Sequence, residues 1–271
     1  MALRDAIYGL AVGDALGVPY EFLTRGSFRC DGMAAYGSHH QPKGTWSDDT
    51  SLTLATCASI KATGRIDADD IRRRFVAWYE SGEYAIGRDV FDVGGTTARA
   101  ILSGVGEMGE HSNGNGSLMR IAPLAYTTAS DDDVRAVSAI THAHRISTES
   151  CVCFVKLIRN LIGGNPLVNS LRNSIPADDE FAFLDGVCEQ PRDAIRSGGY
   201  VLDTLGAAIW CFANTDSYAD CVLAAVNLGR DSDTTACVAG ALAGAVYGYD
   251  AIPSEWLDAL RGKDIIEASL F

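Results

Sequence analysis

The spacing of apolar side chains predicts helices along most of the chain. In residues 2–17, Leu3, Ile7, Leu10 and Leu16 fall on or near one face, with the small residues Ala6, Gly9, Ala11, Gly13 and Ala15 between them. Small residues allow close approach of another helix, so this first element is expected to be buried. Pro19 ends it. Residues 24–46 are rich in glycine and polar groups and read as a loop. A second helix runs from Asp49 or Thr50 to about Lys61 and stops near Gly64. A third spans Asp67–Glu80, with Ile71, Phe75 and Trp78 on its apolar face and Arg72, Arg73 and Arg74 mostly solvated. Helices follow at Ala98 to about Val105, Asp131–Thr141, Ser147 or Thr148 to about Leu161, Val201–Phe212 and Asp220–Val226. Residues 165–200 carry Pro166, Pro176 and Pro191 and predict short helices and loops. Thr234–Val246 is apolar nearly all round, the mark of a central core helix. A last short helix follows Pro253, at about Ser254–Leu260.

No strand-like alternation is sustained. The expectation is an all-α fold, a compact orthogonal bundle with short connections, in one domain over residues 1–271.

Composition narrows the classes of partner. The chain has 271 residues, 47% hydrophobic and 21% charged, with a formal net charge of −13. Nucleic acid and anionic membranes call for basic footprints, so neither is expected. No apolar run reaches membrane-spanning length, and Arg4, Asp5 and Asp14 interrupt any signal-peptide pattern. The expected location is cytoplasmic. Of eight cysteines, Cys57, Cys211, Cys221 and Cys237 sit inside apolar helical runs, where Cys acts as a small hydrophobe. Cys151 and Cys153 form a C-x-C without the second cluster that a zinc site needs.

Candidate chemistry concentrates in two acidic turns. Gly44-Thr45-Trp46-Ser47-Asp48-Asp49-Thr50 and Gly229-Arg230-Asp231-Ser232-Asp233-Thr234-Thr235 each open an apolar helix. Either alone is explained by helix capping and the helix dipole. Together they offer six hard oxygen donors: Ser47, Asp48, Asp49, Asp231, Asp233 and Thr234. Four of these are anionic, and one carboxylate suffices for a cap. If the turns converge, their repulsion demands cations, and oxygen-only ligation suits Mg²⁺, Mn²⁺ or Ca²⁺. The expected arrangement is a pair of divalent ions held at two helix N-termini.

Three further motifs leave alternatives open. Asp14, in Gly13-Asp14-Ala15-Leu16-Gly17, is either a buried structural acceptor or a catalytic group. Asn113-Gly114-Asn115-Gly116-Ser117 is either a plain turn or, if a helix starts at Ser117, an anion cradle. His142 and His144, two residues apart, would not share a helix face, which argues against a zinc pair. His142 either offers a ring N–H to a ligand or is structurally satisfied.

The ordered set Gly13-Asp14-Ala15-Leu16-Gly17 with Glu21, Ser47-Asp48-Asp49-Thr50, Asp92-Val93-Gly94, Gly114-Asn115-Gly116-Ser117-Leu118-Met119-Arg120, Thr141-His142, Gly199-Tyr200-Val201 and Gly229-Asp231-Ser232-Asp233-Thr234 resembles the ADP-ribosylglycohydrolase family. The match runs from Gly9 to about Gly248. The resemblance implies an all-helical hydrolase with a binuclear Mg²⁺ or Mn²⁺ site, acting on ADP-ribosylated protein or a small ADP-ribose derivative. It implies metal ligation by Ser47, Asp48, Asp49, Asp231, Asp233 and Thr234. Gly114, Asn115, Gly116, Ser117 and His142 would hold the diphosphate, and Tyr200 would lie against the nucleoside. Glu21 would sit near the scissile bond and Asp92 is the candidate acid/base. ADP-ribosyl-arginine is the expected substrate, with an O-acyl-ADP-ribose hydrolase or a non-catalytic ADP-ribose binder as alternatives. A Mg²⁺-dependent phosphohydrolase, yielding AMP, is a further one. The expected oligomeric state is a monomer or weak homodimer. Many relatives carry a polar residue, often Asn, where this chain has Gly95, which leaves the acceptor preference open.

Overall fold

Two glycine-bearing helices cross backbone to backbone and set the geometry of everything around them. In the computed structural model, which describes residues 2–271, α1 spans Leu3–Gly17 and α10 spans Ser232–Tyr247. A Cβ placed on Gly9 would lie 2.3 Å from the Gly240 carbonyl oxygen, and one on Gly13 would lie 2.1 Å from that of Ala236. At Gly17 it would meet the Asp233 Cα at 2.3 Å. The pairs run in opposite directions along the two helices, so α1 and α10 are antiparallel. Glycines four residues apart in α1 permit this closeness, which brings the end of α1 against the start of α10. Ser232 Oγ seals the junction by donating to the Gly17 carbonyl at 3.0 Å.

The remaining helices are α2 (Asp48–Thr63), α3 (Ala68–Ser81), α4 (Gly95–Ser103), α5 (Asp131–Ser138), α6 (Arg145–Ile162), α7 (Leu167–Arg172), α8 (Val201–Ala213), α9 (Tyr218–Val226), α11 (Ser254–Ala259) and α12 (Lys263–Ser269). Short 3₁₀ turns fill the connections, the longest at Asp179–Glu189 within the stretch expected to be irregular. Among the described residues there are isolated β-bridges and no strand. The protein is all-α. Ile71, Phe75 and Trp78 of α3 are fully buried, as their spacing predicts. All eight cysteines are free thiols, and among the described residues no helix is long and apolar enough to cross a membrane.

The local reading is corrected at three helices, and the condition attached to Ser117 is not met. No α-helix starts at Ser117: residues 116–120 form turns, and the chain passes into a 3₁₀ helix at Ala122–Tyr126, where Pro123 supplies no N–H for a continuing helix. Helix α4 starts at Gly95, capped by Gly94, and stops at Ser103 because Gly104 takes the left-handed conformation. Helix α5 stops at Ser138, short of Thr141, and so leaves Thr141 in a turn and His142 in an isolated bridge with Glu107. Helix α12 was not predicted; its seven residues are too few to display a period, and it is held to α2 by Lys61 Nζ on the Ala268 carbonyl.

A candidate active site at two helix N-termini

Asp14 is the element of α1 that brings the first acidic turn into place. Its carboxylate is fully buried and accepts from Ser47 N at 3.0 and 3.1 Å, from Thr50 N at 3.1 Å and from Thr50 Oγ1 at 2.6 Å. These are the free N–H groups of the first turn of α2, so an acid from α1 caps α2 from outside. Of the two readings open for Asp14, the structural one is realised. Ser47 Oγ adds a second cap by accepting from Asp49 N at 3.2 Å. Asp48 and Asp49 are thereby left free of capping duty.

The second turn arrives through α10. Asp231 Oδ2 accepts from Asn115 Nδ2 at 2.9 Å, and Asn115 also donates to Thr204 Oγ1 at 2.8 Å. Thr234 Oγ1 reaches Asp49 Oδ1 at 3.5 Å, so the two turns meet. Phe22 and Arg230 both have positive φ, 65° and 64°, and are locked together through Phe22 N on the Arg230 carbonyl and Arg230 N on the Leu23 carbonyl, 2.6 and 2.7 Å. That strained pair fixes Glu21 beside Asp231. Asp92 also has positive φ, 60°.

Between these segments lies a cavity of about 240 Å³. Glu21, Asp48, Asp49, Asp92, Asp231 and Thr234 line its acidic side; Gly114, Asn115, Gly116 and His142 line another, and Gly94–Thr97 at the start of α4 complete it. Asp233 is buried just behind, with a carboxylate oxygen within 4.8 Å of ligand atoms on Glu21, Asp92 and His39. His39 Nε2 contacts Glu21 Oε2 and stands 3.8 Å from Asp92 Oδ1. His39 was legible only as a loop residue; nothing in its local sequence signals a place among the acids.

So many carboxylates in one buried place cannot all ionise unaided. Burial, and then the Asp92 and Asp14 charges, hold Asp48 well above the ordinary carboxylate range; burial, then Asp14 and Asp48, do so for Asp49. Burial, then Glu21 and Asp92, raise Asp233 likewise. Glu21 is pushed to about 8 by burial and by Asp231, and Asp92 to about 7 by burial and by Glu21. Burial also raises Asp231, against the opposing effect of the Asn115 hydrogen bond. Asp49 Oδ2, Asp231 Oδ1 and both oxygens of Asp233 are buried without any hydrogen-bond partner. Orphaned carboxylate oxygens of this kind fit a hard divalent cation, since among the described residues no Lys or Arg forms an ion pair with Asp49, Asp231 or Asp233.

Other expected residues take distinct places. Ser117 is fully buried behind the loop, its Oγ accepting from Ser138 Oγ at 2.9 Å. Tyr200, half exposed, leads into α8 and lines a neighbouring cleft of about 650 Å³ whose mostly apolar walls also carry Glu180, Gln190, Arg196 and Asp203. Its backbone still belongs to the site: Asn115 N donates to the Gly199 carbonyl at 3.0 Å and Val201 N to that of Asn113 at 2.9 Å.

The ADP-ribosylglycohydrolase family model matches residues 2–270. The chain belongs to that family. It is 35% identical over 280 residues to the ADP-ribosylarginine hydrolase Tri1 of Serratia proteamaculans (strain 568), covering 97% of this chain and 76% of that protein. It is 34% identical over 281 residues to the ADP-ribosyl-[dinitrogen reductase] glycohydrolase of Rhodospirillum rubrum, covering 95% and 90%. A solved structure described as an ADP-ribosylglycohydrolase-related protein complex superposes with a TM-score of 0.82 at 33% identity, covering 98% of this chain and 94% of that one. The protein is thus an ADP-ribosylglycohydrolase enzyme.

Proposed function

We propose that this ADP-ribosylglycohydrolase removes ADP-ribose from modified arginine side chains with the help of divalent cations, Mg²⁺ or Mn²⁺. The observation that carries the reading is the convergence of Asp48, Asp49, Asp231 and Asp233, several of their oxygens unpartnered, at the meeting of two helix N-termini. The names of its 33–35% identical relatives supply the arginine linkage. Ser47, Asp48, Asp49, Asp231, Asp233 and Thr234 would hold a pair of ions. Bound there, the cations would orient the ribose hydroxyls and acidify a water.

The protein's own groups carry the rest. Glycosidic cleavage develops positive charge at the anomeric carbon, which the surrounding carboxylates stabilise. Water adds to that carbon as the bond to the arginine nitrogen breaks. Asp92 or Glu21 takes the water proton, and that proton, or one held by the other of the two carboxyls, passes to the departing guanidine nitrogen. Gly114, Asn115 and Gly116, together with His142, form the wall that would receive the diphosphate, with Ser117 buried behind it and Tyr200, in the neighbouring cleft, against the nucleoside.

The test is product release from arginine- and serine-linked ADP-ribosylated protein with Mg²⁺, with Mn²⁺ and with chelator. Free ADP-ribose from the arginine substrate, only with metal, is the expected result, and Asp231→Asn should abolish it and weaken metal binding. Full metal-dependent activity in that variant would remove Asp231 from the ligand set. AMP as product would replace glycosidic cleavage by attack at phosphorus.

A further inference from the structure

Arg120 is fully buried, yet no carboxylate pairs with it. Its Nη2 donates to Thr141 Oγ1 at 2.6 Å and its Nη1 to the Val137 carbonyl at 3.4 Å; Nε has no partner, and the guanidinium lies 4.6 Å over the Phe75 ring. A buried guanidinium is costly to keep. Packing alone would be served by a methionine of similar length.

The proton inventory shows what the charge does. The Thr141 hydroxyl is fully buried and owns one proton. Its oxygen already receives Arg120, and among the described residues the acceptor within reach of its proton is His142 Nδ1, at 2.8 Å. Nδ1 must therefore present a lone pair. His142 is neutral, because burial and the Arg120 charge hold it down to about 3. Its single ring proton then sits on Nε2. Among the described residues Nε2 has no hydrogen-bond partner, and His142 lines the cavity beside Gly114 and Gly116. The fit is close: a Cβ on Gly114 would lie 3.4 Å from Nε2 and one on Gly116 2.8 Å from Cε1.

We infer that Arg120 and Thr141 are positioning residues that lock His142 in its Nε2–H tautomer, so that it offers a fixed donor to an anionic oxygen of bound ADP-ribose. In the other tautomer Nε2 would face that oxygen with a lone pair and repel it. The assignment of the ligand rests on the proposed function; the tautomer lock does not.

The experiment is a long-range ¹H–¹⁵N spectrum of protein labelled at its five histidines, with His142→Gln to assign the signal. Wild type should show bare Nδ1 and protonated Nε2, and Thr141→Ser should keep that pattern. Thr141→Val should move population to the Nδ1–H form and weaken ADP-ribose binding about tenfold, the loss of one good hydrogen bond. The loss should fall on KM rather than kcat, because the diphosphate is remote from the breaking bond. An Nδ1–H spectrum in wild type overturns the inference whatever the variants do, as does a folded Thr141→Val protein that binds ADP-ribose like wild type. Wild type with the Nε2–H form but no affinity for ADP-ribose overturns the proposed function and leaves the tautomer lock standing.

Discussion

Thr50 Oγ1 donates to Asp14 Oδ2 at 2.6 Å, and through that bond the end of α1 holds the start of α2. Since α1 also runs backbone to backbone with α10, one helix carries both acidic turns. The separation of Asp49 from Thr234 is therefore set by main-chain packing on the α10 side and by one fully buried side chain, Asp14, on the α2 side.

Asp14→Ala should accordingly cost both stability and activity. It leaves the N–H groups of Ser47 and Thr50 buried and unpaired, at about 1–3 kcal/mol each, partly offset by removal of a buried acid that burial raises to about 6. A net loss of about 2–4 kcal/mol is expected, with a fall in kcat of about a hundredfold, read by thermal unfolding and steady-state kinetics. Asp14→Asn keeps one acceptor oxygen and should lie between. Wild-type kcat in Asp14→Ala would show that the turn holds its place without α1.

Stability of the metal-free protein should fall as pH rises from about 5 to 8. Glu21 and Asp92 have folded-state values raised to about 8 and 7, above those of the unfolded chain, so across this interval the folded state binds more protons. Unfolding then releases protons, and the free energy of unfolding decreases with pH. Asp48, Asp49 and Asp233, also raised by burial, act in the same sense. Mg²⁺ or Mn²⁺ should restore the midpoint mostly at pH 8, where the acids are ready to bind it. Calorimetry at both pH values, with and without metal, is the measurement. A metal-independent midpoint at pH 8 would count against cation binding at this site.

The acids were legible because charge is local information: two Asp pairs opening apolar helices cannot be hidden by folding. Gly9 and Gly13 were visible as small residues, but their partners across the helix crossing were not. The same limit explains His39. A histidine in a polar loop carries no periodicity, and only the tertiary path of residues 24–46 delivers it to Glu21. Helix α12 was missed for a different reason: it is shorter than the window over which a helical period can be told from chance. Asn115 was read with the phosphate loop, yet its side chain serves Asp231, a contact spanning 116 residues of sequence.

Gly116→Ala should weaken substrate binding more than folding. The added methyl would lie 2.8 Å from His142 Cε1 and 3.0 Å from Thr97 Oγ1, so ring and hydroxyl must yield by several tenths of an ångström. Both belong to the cavity wall. KM should rise about tenfold with a smaller change in kcat, and unfolding should shift by no more than about 2 kcal/mol. Unchanged KM would mean that this wall does not meet the substrate.

His39 offers the sharpest test of how Glu21 is used. Its ring is held between Phe22 and Phe91, with centroids 5.7 and 5.3 Å away, and its Nε2 shares a hydrogen bond with Glu21 Oε2. A carboxylate that must move a proton at a defined point gains from such a partner, because the bond removes rotamers that aim the group elsewhere. His39→Leu fills similar space without the nitrogen and should lower kcat about tenfold, with KM nearly unchanged. His39→Gln carries a nitrogen at comparable reach and should recover most of the loss. If Glu21 only lines the cavity, both substitutions will leave kcat alone, and Glu21→Gln will do little more. A large loss in Glu21→Gln with wild-type kcat in His39→Leu would keep Glu21 in the reaction but free it from His39. Parallel loss in Glu21→Gln and His39→Leu, with no further loss in the double variant, would establish that the two act as one unit.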